Sequence, residues 1–138
     1  MTRIMALDLG ERRVGVAISD PLEITAQPFA VIDRGGNMLA EIRAIADEYE
    51  IGEVVVGLPL QMRGSEGDAA SAARQEADRI RDSLDVPVVL WDERLTTATA
   101  ERALIDQGVK RRKRREVIDK IAAAVILQSY LDSRKGRQ

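Results

Sequence analysis

The chain has 138 residues, a net charge of -2, 45% hydrophobic and 32% charged residues, which is enough for one domain with a real core and short for two. It holds no Cys and no His, so thiol nucleophiles, imidazole bases and ordinary zinc centres are excluded, and Asp, Glu, Ser, Thr, Lys, Arg and Tyr must carry any chemistry. No apolar run approaches membrane-spanning length and the N-terminus lacks a signal-peptide pattern, so a cytoplasmic protein with no membrane partner is expected.

Met1–Leu9 reads as a strand, Gly10 to Arg13 as a turn, and Val14–Ser19 as a second strand, so the pair forms an antiparallel hairpin. Asp20-Pro21 closes it, and a third strand covers Gln27–Asp33 and stops at Arg34-Gly35-Gly36. Asn37 is placed to cap a helix whose apolar stripe is Leu39, Ile42, Ile45, Ala46 and Tyr49, with Gly52 as its stop. Glu53–Gly57 is a short apolar run, as expected of a strand covered on both faces. After the loop 58–67, a helix over Ala69–Leu84 buries Ala73, Ala77, Ile80 and Leu84. Val86–Leu90 is the next strand, Thr97–Gln107 a third helix closed by Gly108, and Glu116–Ser133 a fourth, with a loose tail over 134–138. The order β-β-β-α-β-α-β-α-α predicts an α/β fold, in which a three-strand antiparallel meander and two parallel crossover strands form a mixed five-stranded sheet with helices on its faces.

In such a sheet, functional groups collect at the carboxyl ends of neighbouring parallel strands. Asp8 ends the first strand, and Val86–Leu90 runs into Trp91-Asp92-Glu93-Arg94, so these carboxylates share an edge. Asp119 precedes the segment Ile121 to Leu127, which is apolar on every side and therefore buried. Taken singly, each has an ordinary explanation: a turn or cap for Asp8, Asp92 and Glu93, and pairing with Lys120 or Arg115 for Asp119. Taken together they point to a divalent cation. Gathered carboxylates repel and raise one another's pKa, a cation relieves both penalties, and oxygen donors suit Mg²⁺ or Mn²⁺.

Lys110, Arg111, Arg112, Lys113, Arg114 and Arg115 form an unbroken basic run in a slightly acidic chain, which suits a polyanion better than a solvated loop or helix start. Aromatic residues are only Phe29, Tyr49, Trp91 and Tyr130, so nucleic-acid contact is expected to fall on phosphates rather than stacked bases.

The stretches ALDLGERRVGVAISD, VVVGLPLQMRGSEG, VVLWDERLTTATAE and EVIDKIAAAVILQSYL resemble, in order and over nearly the whole chain, the YqgF (RuvX-like) family. The resemblance implies an RNase H-like fold as a single nuclease domain over 1–138, and a metal-dependent nuclease with Asp8, Glu93 and Asp119 as catalytic ligands of Mg²⁺ or Mn²⁺. One ion would activate the attacking water and a second would stabilise the leaving 3′-oxygen. Asp92 would face away, because successive strand residues point to opposite faces. Arg12, Arg13 and Arg94 flank this site as phosphate contacts, with a salt bridge to Asp92 as the alternative for Arg94. The chain departs from the family at Gln61, where Asn is common, and at Arg63, where an acidic or small residue often stands. Gly57, Gly64 and Gly67 suit either a backbone that approaches phosphate or an ordinary surface loop.

The family is linked to trimming the 5′ end of precursor 16S ribosomal RNA in ribosome biogenesis and to resolving Holliday junctions. The RNA precursor is favoured as the nucleic-acid partner, and a four-way junction would ask for a dimer, so monomer and homodimer both stay open. An actin-like phosphotransferase also uses Asp-Leu-Gly but needs a two-domain cleft, and no Walker Gly-Lys-Ser/Thr is present. A non-catalytic ribosome-assembly factor is the remaining alternative, and three carboxylates would disfavour mere polyanion binding.

Overall fold

A computed structural model describes residues 2–59, 67–95 and 114–135, with side chains at 2–59, 67–94 and 121–134. The predicted helix Thr97–Gln107, the loop glycine Gly64, the departures Gln61 and Arg63, and Lys110, Arg111, Arg112 and Lys113 lie outside the described residues.

The elements are β1 (Arg3–Leu9), β2 (Arg13–Ser19), β3 (Ala26–Asp33), α1 (Met38–Glu48), β4 (Ile51–Leu58), α2 (Asp68–Leu84), β5 (Val88–Asp92), a 3₁₀ turn (Glu93–Leu95) and α3 (Arg114–Lys135). They form the expected five-stranded mixed sheet, in the order β3-β2-β1-β4-β5. The meander β1-β2-β3 is antiparallel, and β4 and β5 run parallel to β1. β1 is central, and Ile4 to Leu7 are buried on both faces. That is why this strand reads as an unbroken apolar run.

Alternation along the strands sends two sets of side chains to two layers. Met5, Leu7, Val14, Val16, Ile18, Val54 and Val56 meet α1 and α2 through Met38, Ile42, Ala46, Ala77 and Ile80. Ile4, Ala6, Ala17 and Val55 meet α3 through Ala123, Ala124, Ile126 and Leu127. Small residues on both sides of this second layer let α3 lie close to the sheet. Its Gln128 then clamps the start of β3: the side-chain oxygen accepts the Ala26 N–H at 2.9 Å, and the amide donates to the Ile24 carbonyl at 3.1 Å.

Several element boundaries differ from the sequence reading. The first helix stops before Gly52: Tyr49 donates its N–H to the Ile45 carbonyl, Glu50 takes a φ of 53°, and β4 starts at Ile51. Gly52 lies inside that strand, where a Cβ would come within 2.8 Å of the Thr2 side chain, so close packing accounts for it. Asn37 occupies the N-cap position without a side-chain cap bond. β5 extends through Asp92, and α3 continues through Arg134 and Lys135, which are helical rather than part of a loose tail. Ion pairing favours the longer helix, because Arg134 reaches Glu23 at 3.5 Å. Pro28 sits in β3, an edge strand, at the register irregularity opposite Ala17, where a missing N–H is tolerated. No helix among the described residues is long and apolar enough to cross a membrane.

Candidate active site

Leu7 is paired with Val56, so Asp8 is level with Gly57 on β4, while Gly15 faces Asp8 on β2. On the far side of β4, Gly57 is paired with Trp91 of β5, two residues before Glu93. Asp8, Gly57 and Glu93 therefore share the face of the sheet that packs on α3. The Glu93 side chain reaches across β4, with its Oε1 hard against Gly57, and hydrogen-bonds with the Asp8 carboxyl.

This meeting has an electrostatic signature. The Glu93 carboxyl is pushed up to about 7, first by burial, then by the neighbouring charge and hydrogen bond of Asp8, and last by Asp92. Two carboxyl groups this close hold a proton between them when nothing else neutralises them.

Asp92 faces away, as period-two alternation requires. Its Oδ2 lies 2.7 Å from Arg94 Nη2, and its Oδ1 accepts the Arg94 backbone N–H at 2.9 Å. The side-chain hydrogen bond from Arg94 holds the Asp92 carboxyl below its ordinary range, and Asp92 in turn raises Arg94. Of the two roles open to Arg94, the salt bridge to Asp92 is formed.

The β1–β2 turn carries Arg12 and Arg13, both exposed, at the same edge of the sheet. Gly10 donates its N–H to the Arg13 carbonyl at 2.9 Å, and a Cβ on Gly10 would lie 2.8 Å from that oxygen. Arg34, in the turn just after β3, braces this turn: its Nη1 donates to the Gly10 carbonyl at 2.8 Å and its N–H to the Arg12 carbonyl at 3.0 Å. No local sequence pattern links Arg34 to this turn, because the hydrogen bond spans 24 residues.

α3 runs from the carboxyl edge of the sheet toward the opposite edge, since Ile126 sits against Gly57 and Tyr130 hydrogen-bonds to Glu53 at the start of β4. Position 119 is seven residues before Ile126, on the same helix face and about 10 Å further toward the carboxyl edge. Arg114 and Arg115 open the helix. The side chains of all three lie outside the described set, and no cluster of three metal-ligating residues occurs among the described residues.

The donor chemistry fits a hard divalent cation. Two carboxylates meet at the sheet edge with no competing sulfur or imidazole donor, and a cation there would relieve the repulsion that raises the Glu93 carboxyl.

Comparison with known proteins identifies the family and the fold. The chain matches the family described as RuvX: Holliday junction resolvase over residues 2–133. A protein of Geobacillus kaustophilus (strain HTA426) named "Putative pre-16S rRNA nuclease" is 52% identical over 137 residues, which covers 96% of this chain and 99% of its own. A protein of the same name from Halothermothrix orenii (strain H 168 / OCM 544 / DSM 9562) is 52% identical over 132 residues, 94% of each chain. Among solved structures, T. thermophilus RuvC in complex with Holliday junction substrate is similar with a TM-score of 0.64 and 15% identity, covering 99% of this chain and 97% of that one. The Fowlpox virus resolvase in complex with Holliday junction DNA is similar with a TM-score of 0.60 and 14% identity, over 96% and 98% of the two chains. At those identities the likeness speaks for the fold, which is RNase H-like. Identity of 52% with relatives along almost the entire chain, together with the match over residues 2–133, makes this protein a member of the RuvX family.

Proposed function

We propose that the protein is a metal-dependent nuclease that hydrolyses phosphodiester bonds and processes the 5′ end of precursor 16S ribosomal RNA in the cytoplasm. One domain over residues 1–138 would carry the whole site. The observation that carries this reading is the convergence of Asp8 and Glu93 across β4. Without a cation such a pair costs stability when both groups are ionised, because the Asp8 charge and burial both oppose ionisation of Glu93. Membership of the RuvX family and the names of the relatives support the substrate class.

Asp8 and Glu93, with Asp119 from α3, would hold Mg²⁺ or Mn²⁺, which when bound supplies Lewis-acid activation of water and of the phosphoryl oxygens. The chain's own residues do the rest. With no cation bound the Glu93 carboxyl is raised beside Asp8, and a bound cation would displace that proton and take the ionised carboxylate as a ligand. Arg12 and Arg13, held in place by Arg34, offer guanidinium donors to backbone phosphates. The basic run Lys110–Arg115 adds attraction for a polyanion. Arg94 serves mainly by holding Asp92 aside.

The test is cleavage of a precursor 16S ribosomal-RNA end, a generic single-stranded RNA and a four-way DNA junction, with Mg²⁺ or Mn²⁺, against EDTA and the Asp8→Asn protein. Cleavage of the RNA precursor, lost in both controls, supports the reading. Cleavage of the junction alone replaces the RNA substrate with DNA. Tight, salt-sensitive binding without cleavage of any substrate favours a non-catalytic assembly role.

A further inference from the structure

We infer that Gly57 is a positioning residue for Glu93: the missing side chain at this point of β4 is what lets a carboxylate from the turn that ends β5 reach Asp8 on β1. This deepens the metal-dependent reading and rests on it. β4 lies between the two strands that supply the carboxylates, so any bridge must pass over β4. It passes at Gly57. A Cβ there would lie 2.6 Å from Glu93 Oε1, 3.2 Å from Glu93 Cγ and 2.7 Å from Ile126 Cδ1. The backbone of Gly57 continues the β4 ladder in register with Trp91, so space rather than backbone conformation demands the glycine.

The two obstacles differ in how far they can yield. Ile126 is 3% exposed and locked in the α3 layer. Glu93 is only half-buried, in the turn that follows β5, so an added methyl displaces Glu93 first. The displaced carboxylate loses Asp8, and a cation that needs both loses one ligand. Groups that orient metal ligands typically change metal affinity about 10- to 100-fold when altered.

Mn²⁺ binding by calorimetry on the full chain decides the matter, with melting curves of the metal-free proteins alongside. The expected result is that Gly57→Ala weakens Mn²⁺ binding about 10- to 100-fold. Adding Ile126→Val, which removes the core-side clash, should not restore it. In a Glu93→Ala background, read at the higher Mn²⁺ concentrations it needs, Gly57→Ala should add nothing further. The inference is overturned if Gly57→Ala binds like the unaltered protein, if Ile126→Val restores affinity, or if the loss is equally large without Glu93. Should Gly57→Ala fail to fold, the Gly57→Ala/Ile126→Val protein takes its place in the comparison, and failure of both to fold assigns Gly57 to packing alone. No Mn²⁺ binding by the unaltered protein would remove the metal-dependent reading itself, and the inference with it.

Discussion

Asp92 and Arg94 grip each other across Glu93, with the carboxylate of one 2.7 Å from the guanidinium of the other, and the residue between them is turned to the opposite face of the sheet. Two adjacent acids thereby acquire different chemistry. Asp92 is held ionised by Arg94, whereas Glu93 is driven toward its protonated form by burial and by Asp8.

Adjacent substitutions should therefore differ sharply. Asp92→Asn removes a partly exposed ion pair, a loss of about 0–1 kcal/mol in stability, and cleavage should survive within a few-fold. Glu93→Gln keeps the shape but removes a ligand charge, and cleavage should fall by about 100-fold or more, on the order of 3 kcal/mol in the barrier. Single-turnover rates on the same substrate, with urea melts, separate the two. Comparable losses in both would remove the division of labour between these neighbours.

The metal-free protein should become less stable as pH rises. The folded Glu93 titrates at about 7 against an ordinary 4.5, so between those values the folded state keeps a proton that the unfolded chain has released. The contribution is fully present below the unfolded value and is lost as pH passes through about 7. Thermal melts in EDTA from about pH 5 to about pH 8 should show Tm declining, and Glu93→Gln should flatten the decline. Mn²⁺ affinity should move the other way and tighten with pH, because the cation competes with that proton. A Tm that rises over the same range would contradict the carboxyl pair.

The basic run gives a prediction in salt. Converting Arg111, Arg112, Arg114 and Arg115 to Gln should weaken binding to all single-stranded RNAs alike. The slope of log K against log salt should become shallower by about 0.7 for each phosphate that is no longer neutralised. An unchanged slope would place the RNA elsewhere on the surface.

Gln128 supplies a test of the fold away from the site. Gln128→Ala removes the partner of the Ala26 N–H and of the exposed Ile24 carbonyl and should cost about 0.5–1.5 kcal/mol. The metal-saturated cleavage rate should stay within a few-fold. A wild-type melt would show that water replaces the amide without loss.

Read linearly, the chain already carried the types of the described strands and helices, the mixed sheet, the two-sided burial of β4 and the acids proposed for the site. These depend on period-two and helical spacing, on turn residues and on the absence of His and Cys, all of which are local or compositional. Element ends were less legible, because Gly52 reads as a helix stop in a linear sequence while its role comes from Thr2, its neighbour only in space. Packing in three dimensions adds the meeting of Glu93 with Asp8 across β4, the arginine that braces the β1–β2 turn, and the reason Gly57 has no side chain. Each of those facts is a meeting of strands far apart in the chain, and only the packing order β3-β2-β1-β4-β5 sets the distances that burial and charge then act upon.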